Sequence, residues 1–476
     1  MKIAMIVSEA SHFAKTGGLA DVSYALSESL IKAGHEVILV LPYYRTIKKT
    51  YKGKVNFVGS YDVYMSWRTE GVGVYKTTIG GLPVYLLENN YYFDRDNLYG
   101  YDDDGERFAF FSLAGKSLLP FIKFKADIIH VHDWQTAMIP CLVKEGHRIN
   151  DFFDHTKFVL TIHNPAFKGM IDRYFLNDFY GLPDYLYDNG SVRFEGMVST
   201  LKSGIVYSDK VTTVSPTHRE ELLSVMGSQG LDGVLRLRER DFVGILNGID
   251  VGEWDPNTDK LIKKTYKKAT LMEGKKANQA DLLASFNLAP AKGAVYGLVS
   301  RLTYQKGIDL IFPAMRKELK KGASFVVLGS GEYQLEQRLE SLRREFPENV
   351  GIYIGYNENL AHKVYAGSDF FLMPSLYEPC GIGQLLAERY GTLPIVRYTG
   401  GLKDTVVGFN GENQKVATGI GFNDYNVEAL EYALGLAHEI KESEALYYQL
   451  AGNAISIDNS WKKSAAIYER LYSSII

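Results

Sequence analysis

The sequence predicts an α/β fold built of two doubly wound, Rossmann-like parallel-sheet domains. Three observations carry this expectation. The first forty residues read as strand, helix, strand; short apolar strands alternate with helical stretches after residue 290; and 476 residues are too many for a single core.

Taken in order, Ile3 to Val7 is an apolar strand followed by the loop SEASHFAKTGG. From Leu19 to Ala33, apolar side chains at Leu19, Val22, Ala25, Leu26, Leu30 and Ala33 recur with helical period. Gly34 suits the left-handed position after a helix. Glu36 to Leu41 forms the next strand, and Pro42 is expected to stop it. A helical connection of this length joins parallel strands. Strands ending at Val131, Ile162 and Val214 continue the pattern, diluted by aromatic loops expected over 61–110 and 165–195. In the second half, strands are expected at Val295–Ser300, Ser324–Leu328, Gly351–Ile354, Phe370–Met373 and Pro394–Val396. Helices near 307–320, 332–345, 358–367 and 382–390 lie between them. The domains meet near 240–255, where FVGILNGIDVGEWDPN combines a strand with turn residues. The first domain therefore spans 1–243 and the second 244–456. The remaining stretch, 457–476, sets Trp461, Ala465, Tyr468, Leu471, Tyr472 and Ile475 on one helical face and is expected to pack back on the first domain.

Composition excludes several classes. A hydrophobic fraction of 46% with 23% charged residues argues against disorder. With 53 basic and 56 acidic residues there is no basic surface for nucleic acid. No apolar run approaches the roughly 20 residues that span a bilayer, and MKIAMIVSEA reads as a buried strand rather than a signal peptide. Two cysteines, Cys141 and Cys380, imply no disulfide framework. A cytoplasmic protein without nucleic-acid or membrane partners is expected, its oligomeric state left open.

Ligands of doubly wound sheets bind beyond the carboxyl ends of the strands, so the residues there carry the functional reading. After the first strand, Lys15-Thr16-Gly17-Gly18-Leu19 combines a cation, paired glycines and a helix N-terminus, a combination suited to phosphate. Arg301-Leu302-Thr303-Tyr304-Gln305-Lys306-Gly307 places two cations after a second-domain strand, where they can clamp a diphosphate. Glu378-Pro379-Cys380-Gly381-Ile382-Gly383-Gln384 offers a carboxylate for sugar hydroxyls and N–H groups for phosphate oxygens; the Cys380 sulfur is expected merely to pack. Dinucleotide oxidoreductases are disfavoured: no G-x-G-x-x-G follows the first strand, and Gly329-Ser330-Gly331 has Gln334 where the third glycine belongs. A Walker A loop is absent. His130-Val131-His132-Asp133 and Asp102-Asp103-Asp104 have metal-like spacing but no matching third ligand, so no metal or other cofactor is expected.

Seven motifs, in order, resemble the bacterial glycogen synthase and plant starch synthase family of retaining GT-B glycosyltransferases. They are KTGGLADV at 15–22, HVHDWQ at 130–135, TIHN at 161–164, ILNGID at 245–250, SRLTYQKG at 300–307, PSLYEPCGIGQ at 374–384 and GTLPIVRYTGGLKDTV at 391–406. The resemblance implies two Rossmann-like domains facing a cleft, an acceptor-side N-terminal domain and a C-terminal domain for the nucleotide sugar. It implies transfer of glucosyl from ADP-glucose, a substrate rather than a cofactor, to the non-reducing end of an α-1,4-glucan. By the same resemblance Lys15, Gly18, Arg301 and Lys306 meet the donor phosphates, Gly17 binds substrate beside them, and Asp21 holds the donor end. Asp133, His163, Asn164 and Glu378 surround the transferred glucose, and Tyr356 stacks on the base. Trp134 and Tyr99 meet the acceptor, while Asn247, Cys380 and Gly381 line the substrate site. Glu378, His163, Asp133, Arg301 and Lys306 are the implied catalytic set. Two departures matter: Leu386 stands eight residues after Glu378, where generic members of the class carry a second Glu, and Gly383 replaces a larger residue. A UDP-sugar transferase or epimerase on the same fold, or a catalytically silent glucan-binding protein, are the competing readings.

Overall fold

A computed structural model of the chain describes residues 1–146 and 151–476. The chain divides into two compact units, Met1–Asn247 with Trp461–Ile476, and Gly248–Ser460. The crossings fall at 247/248 and 460/461 rather than at 243/244 and 456/457. Residues Ile245 to Asn247 still belong to the first unit because Ile245 donates its amide to the Thr213 carbonyl and extends that unit's sheet edge.

Numbered in chain order, the first unit contains the strands β1 (Lys2–Ile6), β2 (Glu36–Pro42), β3 (Asn56–Met65), β4 (Arg68–Ile79), β5 (Leu82–Glu88), β6 (Ile128–His132) and β7 (Lys157–Ile162). There follow β8 (Met170–Ile171), β9 (Arg193–Phe194) and β10 (Met197–Ser199), which form a small antiparallel sheet, then β11 (Lys210–Thr213) and β12 (Phe242–Gly244). The main sheet runs β12-β11-β7-β6-β1-β2-β5-β4-β3. It is parallel from β12 through β5 and antiparallel at β5-β4-β3.

The second unit holds β13 (Val295–Val299), β14 (Ser324–Gly329), β15 (Val350–Ile354), β16 (Phe370–Met373), β17 (Leu393–Arg397) and β18 (Ile420–Phe422). Their order is β15-β14-β13-β16-β17-β18, parallel throughout. Helices Ile308–Lys320, Tyr333–Glu345, Glu358–Gly367 and Gly383–Arg389 connect them, so the sheet is covered on both faces and its strands are apolar along their length.

Both sheets switch direction where their first strand lies. From β1 the chain winds to β2 on one side and later to β6 on the other; from β13 it winds to β14 on one side and to β16 on the other. The loops that follow these strands part from each other and leave a crevice at the carboxyl edge of each sheet.

The stretch 61–110, read from the sequence as aromatic loops, instead carries β3, β4, β5 and the helix Asp104–Phe121. Pro42 does not precede a stop; it is the last paired residue of β2, opposite Leu87. An end position tolerates proline because little of the ladder follows it. The C-terminal helix runs Trp461–Ser473, so Ile475 lies past its end, while Trp461, Ala465, Tyr468 and Tyr472 are buried in the first unit's core. Among the described residues no helix is long and apolar enough to cross a membrane.

Candidate active site

In the first unit the residues of interest gather after β1, β6 and β7. Asp133 follows β6 directly and has a φ of 52°, a left-handed conformation uncommon for any residue but glycine. Its carboxylate accepts the His163 amide at 2.7 Å and the Asn164 amide at 3.3 Å, tying the end of β6 to the end of β7. Burial raises the Asp133 carboxyl to about 7 against those two hydrogen bonds, with the Glu9 carboxylate adding to the rise. A strained, buried carboxyl poised near neutrality is the pattern expected where chemistry is done.

Behind it lies a stack of imidazoles. The His130 and His132 rings stack at 4.2 Å, and those of His132 and His163 at 5.2 Å. His132 Nδ1 lies 2.9 Å from His163 Nε2, while His130 bonds Tyr472 at 2.8 Å and Thr161 at 2.7 Å. Burial holds His130 and His163 down at about 3 and drives His132 further in the same direction. All three are therefore neutral, and the His163 ring is engaged by His132. Asp103 and Asp104, two of the three clustered acids, are likewise engaged, by Arg95 and Arg107.

Sequence reasoning passed over Glu9. It lies in the loop after β1, 4% exposed, and accepts the Thr16 amide at 2.5 Å and the Thr16 hydroxyl at 3.0 Å. Burial raises its carboxyl despite hydrogen bonds from Thr16, the Gly17 amide and Tyr99. Glu9 is therefore the post on which the KTGG loop is hung, and it turns the Thr16 and Gly17 amides inward. An acid ending a buried apolar strand was the available signal. Lys15 is exposed and pairs with Asp21 at 2.6 Å, whose carboxylate also accepts the Ser11 hydroxyl. A Cβ placed on Gly17 or Gly18 would meet nothing within 4 Å, and Gly17 has an extended backbone. Packing within the fold therefore does not demand glycine at these two positions, and the backbone there is open to close approach.

Tyr99 and Trp134 lie on either side of Phe108, at ring distances of 5.7 and 5.2 Å, and Tyr99 donates to Ser8 Oγ. The Trp134 carbonyl accepts the Thr200 hydroxyl at 2.7 Å, which fixes the helical turn that begins at Asp133. Asn247 is 8% exposed, and its Oδ1 has no hydrogen-bond partner among the described residues.

In the second unit the switch-point loops bring Lys306 and Glu378 together. Lys306 Nζ lies 2.5 Å from Glu378 Oε2, and Ser375 Oγ donates to the same oxygen at 3.1 Å. Glu378 is buried, so the pair neutralises a carboxylate that burial alone would disfavour. The approach depends on Gly307: it has a φ of 70°, and a Cβ there would sit 2.1 Å from the Pro374 carbonyl oxygen. Arg301 stands exposed at the start of the same loop. Gly381 has a φ of 76°, and the Gln384 side chain donates back to the Cys380 and Gly381 carbonyls, fixing the turn that leads into the helix Gly383–Arg389. The Cys380 thiol is buried. Tyr356 projects from the loop after β15, 72% exposed.

Two switch-point crevices lined by cations, glycines and buried carboxyls define a nucleotide-sugar glycosyltransferase of the two-domain GT-B class. Residues 2–237 match the starch synthase catalytic domain family and residues 282–449 match the glycosyl transferases group 1 family. The chain is 41% identical over 477 residues to a glycogen synthase of Bacillus cereus, covering all of both chains. It is equally identical to one of Geobacillus thermodenitrificans, covering all of this chain and 98% of that one. Among solved structures it resembles the catalytic domain of starch synthase IV from Arabidopsis thaliana bound to ADP and acarbose, with a TM-score of 0.91, 32% identity and 99% coverage of each chain. A sucrose-phosphate synthase from Thermosynechococcus elongatus, 18% identical with a TM-score of 0.60 over 100% of this chain and 98% of its own, shares the fold. The chain belongs to the glycogen synthase family of glycosyltransferases.

Proposed function

We propose that this enzyme transfers glucosyl from ADP-glucose to the non-reducing end of an α-1,4-glucan with retention, in the cytoplasm. The observation that carries the donor reading is the pair of glycines, Gly17 and Gly18, left open beside Lys15 at a helix N-terminus. Such a site is suited to a phosphate brought against the backbone. The ADP and acarbose bound by the Arabidopsis relative support the choice of donor and acceptor.

In this reading Lys15 and Gly18 in the first unit, and Arg301 and Lys306 in the second, bind the donor diphosphate. Lys306 is then shared between phosphate and Glu378, which with Asp133 and Asn164 takes the hydroxyls of the transferred glucose. Tyr356, exposed and aromatic, takes the base, while Tyr99 and Trp134 meet the acceptor. Asp21 steadies Lys15; Asn247, Cys380 and Gly381 complete the substrate contacts.

ADP is a fair leaving group, so the main demand is to stabilise charge gathering on the β-phosphate as the bond to C1 breaks. Arg301 and Lys306 meet it, each contributing about 3 kcal/mol by comparison with donors to an oxyanion. The His163 carbonyl faces the positive anomeric centre, consistent with a side chain already committed to His132. The position eight residues after Glu378 is Leu386, so no second carboxylate stands there to act as nucleophile. Attack on the face the phosphate leaves, with that phosphate accepting the acceptor's proton, accounts for retention.

A donor panel tests the reading. Labelled ADP-glucose and UDP-glucose are each incubated with and without glycogen, and incorporation into polymer is counted. Incorporation from ADP-glucose that requires glycogen is expected; incorporation from neither donor refutes the proposal. Arg301→Ala is expected to lower kcat by about 100-fold or more with little change in Tm, and Lys306→Ala to lower kcat as far while also lowering Tm, because it leaves the buried Glu378 carboxylate unpaired. Turnover near that of the parent in both would remove these residues from the catalytic set.

A further inference from the structure

Away from the residues assigned to transfer, the second unit contains a cluster that the reaction does not use. His362 lies on the helix Glu358–Gly367, four residues after Glu358 and therefore on the same face. Its ring stacks on Trp254 at 3.8 Å and 10°, and the residue is 2% exposed. Nδ1 lies 2.7 Å from Asp259 Oδ2. Burial would raise the Asp259 carboxyl, but the hydrogen bonds from His362, Tyr390 and the Leu261 amide hold it below its ordinary value. With Nδ1 engaged by the Asp259 carboxylate, Nε2 is the ring nitrogen left for another partner. That Nε2 is buried and has no hydrogen-bond partner among the described residues.

The imidazole, one oxygen of Glu253 and one of Glu358 lie within 4.8 Å of one another. Nδ1 being taken by Asp259, the nitrogen open to the carboxylates is Nε2. Glu253 belongs to the turn Asp250–Glu253, whose form is set by the Asp250 carboxylate accepting the Gly252 and Glu253 amides. Burial raises the Glu253 carboxyl, and the Asp250 and Glu358 carboxylates raise it further. The two glutamates crowd each other beside a buried ring nitrogen that has no partner among the described residues. A cation relieves both penalties at once.

We propose that Glu253, Glu358 and His362 form a binding site for one divalent transition-metal ion, with zinc the best match, leaving at least one coordination position open. The donor set supports the choice: an imidazole favours zinc and its neighbours over magnesium or calcium, and three protein ligands with an open fourth position is a common zinc arrangement. The Nδ1–carboxylate bond to Asp259 is the outer contact that orients metal-binding histidines and sets their tautomer. Zinc with donors at about 2.0–2.2 Å draws them to within about 3.5 Å of one another; both glutamates are exposed and can rotate that far. The ion would fasten the turn at Glu253 to the first turn of the helix that follows Tyr356.

The test uses untagged full-length protein, stripped with chelator and titrated with zinc chloride by calorimetry. Cobalt serves in parallel as a spectroscopic probe, read by its visible absorption and by quenching of Trp254. One ion per chain is expected, with cobalt quenching lost in Trp254→Phe. Glu253→Gln and Glu358→Gln are each expected to weaken binding at least 10-fold and together to abolish it. Both residues are exposed, and unchanged circular dichroism confirms that the variants fold. Absence of stoichiometric binding overturns the proposal, as does one-to-one binding that Glu358→Gln leaves unchanged, which would place the ion elsewhere.

Discussion

Asp133 concentrates the strain of the first unit's candidate site in one side chain. Its left-handed backbone and its buried carboxyl both oppose folding, and only the His163 and Asn164 amides offset them. The pH dependence follows from a carboxyl raised from 3.8 to about 7. Below about pH 4 the folded and unfolded chains both hold the proton. As pH climbs from there to 7 the unfolded chain has released it while the fold retains it, so stability falls. Above 7 the loss is constant, on the order of 4 kcal/mol. Asp133→Asn keeps an oxygen for the two amides and removes the titration. The Tm difference, variant minus parent, should be near zero at pH 4 and grow positive to pH 8, while glucosyl transfer is lost. A difference that stays flat across that range would show that burial does not set this carboxyl. Asp133 and Glu378 were legible in the sequence because each follows a buried strand in a motif with few alternatives. The imidazole stack was not, since the contacts that define it join residues up to 342 positions apart, and Glu9, whose partners Thr16 and Gly17 lie close in the chain, carries no motif of its own.

At the scale of elements, the helix Thr200–Tyr207 shows packing overriding propensity. Gly204 sits mid-helix, where alanine would ordinarily gain about 1 kcal/mol. Here a Cβ would lie 2.7 Å from Ala137 Cβ, 2.9 Å from the Ala137 carbonyl oxygen and 3.1 Å from Leu160 Cδ2. Backbone meets side chain, and nothing there can swing aside. Gly204→Ala should therefore destabilise by about 2 kcal/mol, read as a lower denaturation midpoint. Because Thr200 also holds the Trp134 carbonyl, transfer activity should fall with it. A variant as stable as the parent would mean the two helices can part without strain. Buried parallel strands such as β13 and β14 declared themselves in the sequence as short apolar runs. The β3-β4 hairpin did not. Val63 and Met65 face the core and Tyr61 packs against it, while Phe57 and Tyr64 are largely exposed, so large apolar residues fall on both faces and blur the alternation that marks a half-buried strand.

Over the whole molecule, two separate cores are joined by a chain that crosses twice. The second crossing carries consequences, because it returns a single helix, Trp461–Ser473, to a unit that otherwise ended at Asn247. An amphipathic stripe ending in Trp461, Tyr468 and Tyr472 could be read from the sequence as a docking face. Its partner could not, since that required knowing that β6 presents His130 to Tyr472 and that the helix Gly18–Lys32 packs alongside. His35 Nε2 adds a hydrogen bond to Glu469 at 2.7 Å. Three buried aromatics leaving the core represent a loss on the order of 5 kcal/mol or more, a large part of what holds a domain folded. Deleting residues 461–476 should therefore unfold the first unit at a much lower temperature while the Gly248–Ser460 unit, whose own core is complete, melts as before. Calorimetry on the truncated chain should resolve two transitions, with only one displaced. ADP should still protect the undisplaced transition if Arg301, Lys306 and Tyr356 hold the nucleotide. A single shared transition, moved as a whole, would show instead that the two cores fold as one cooperative body.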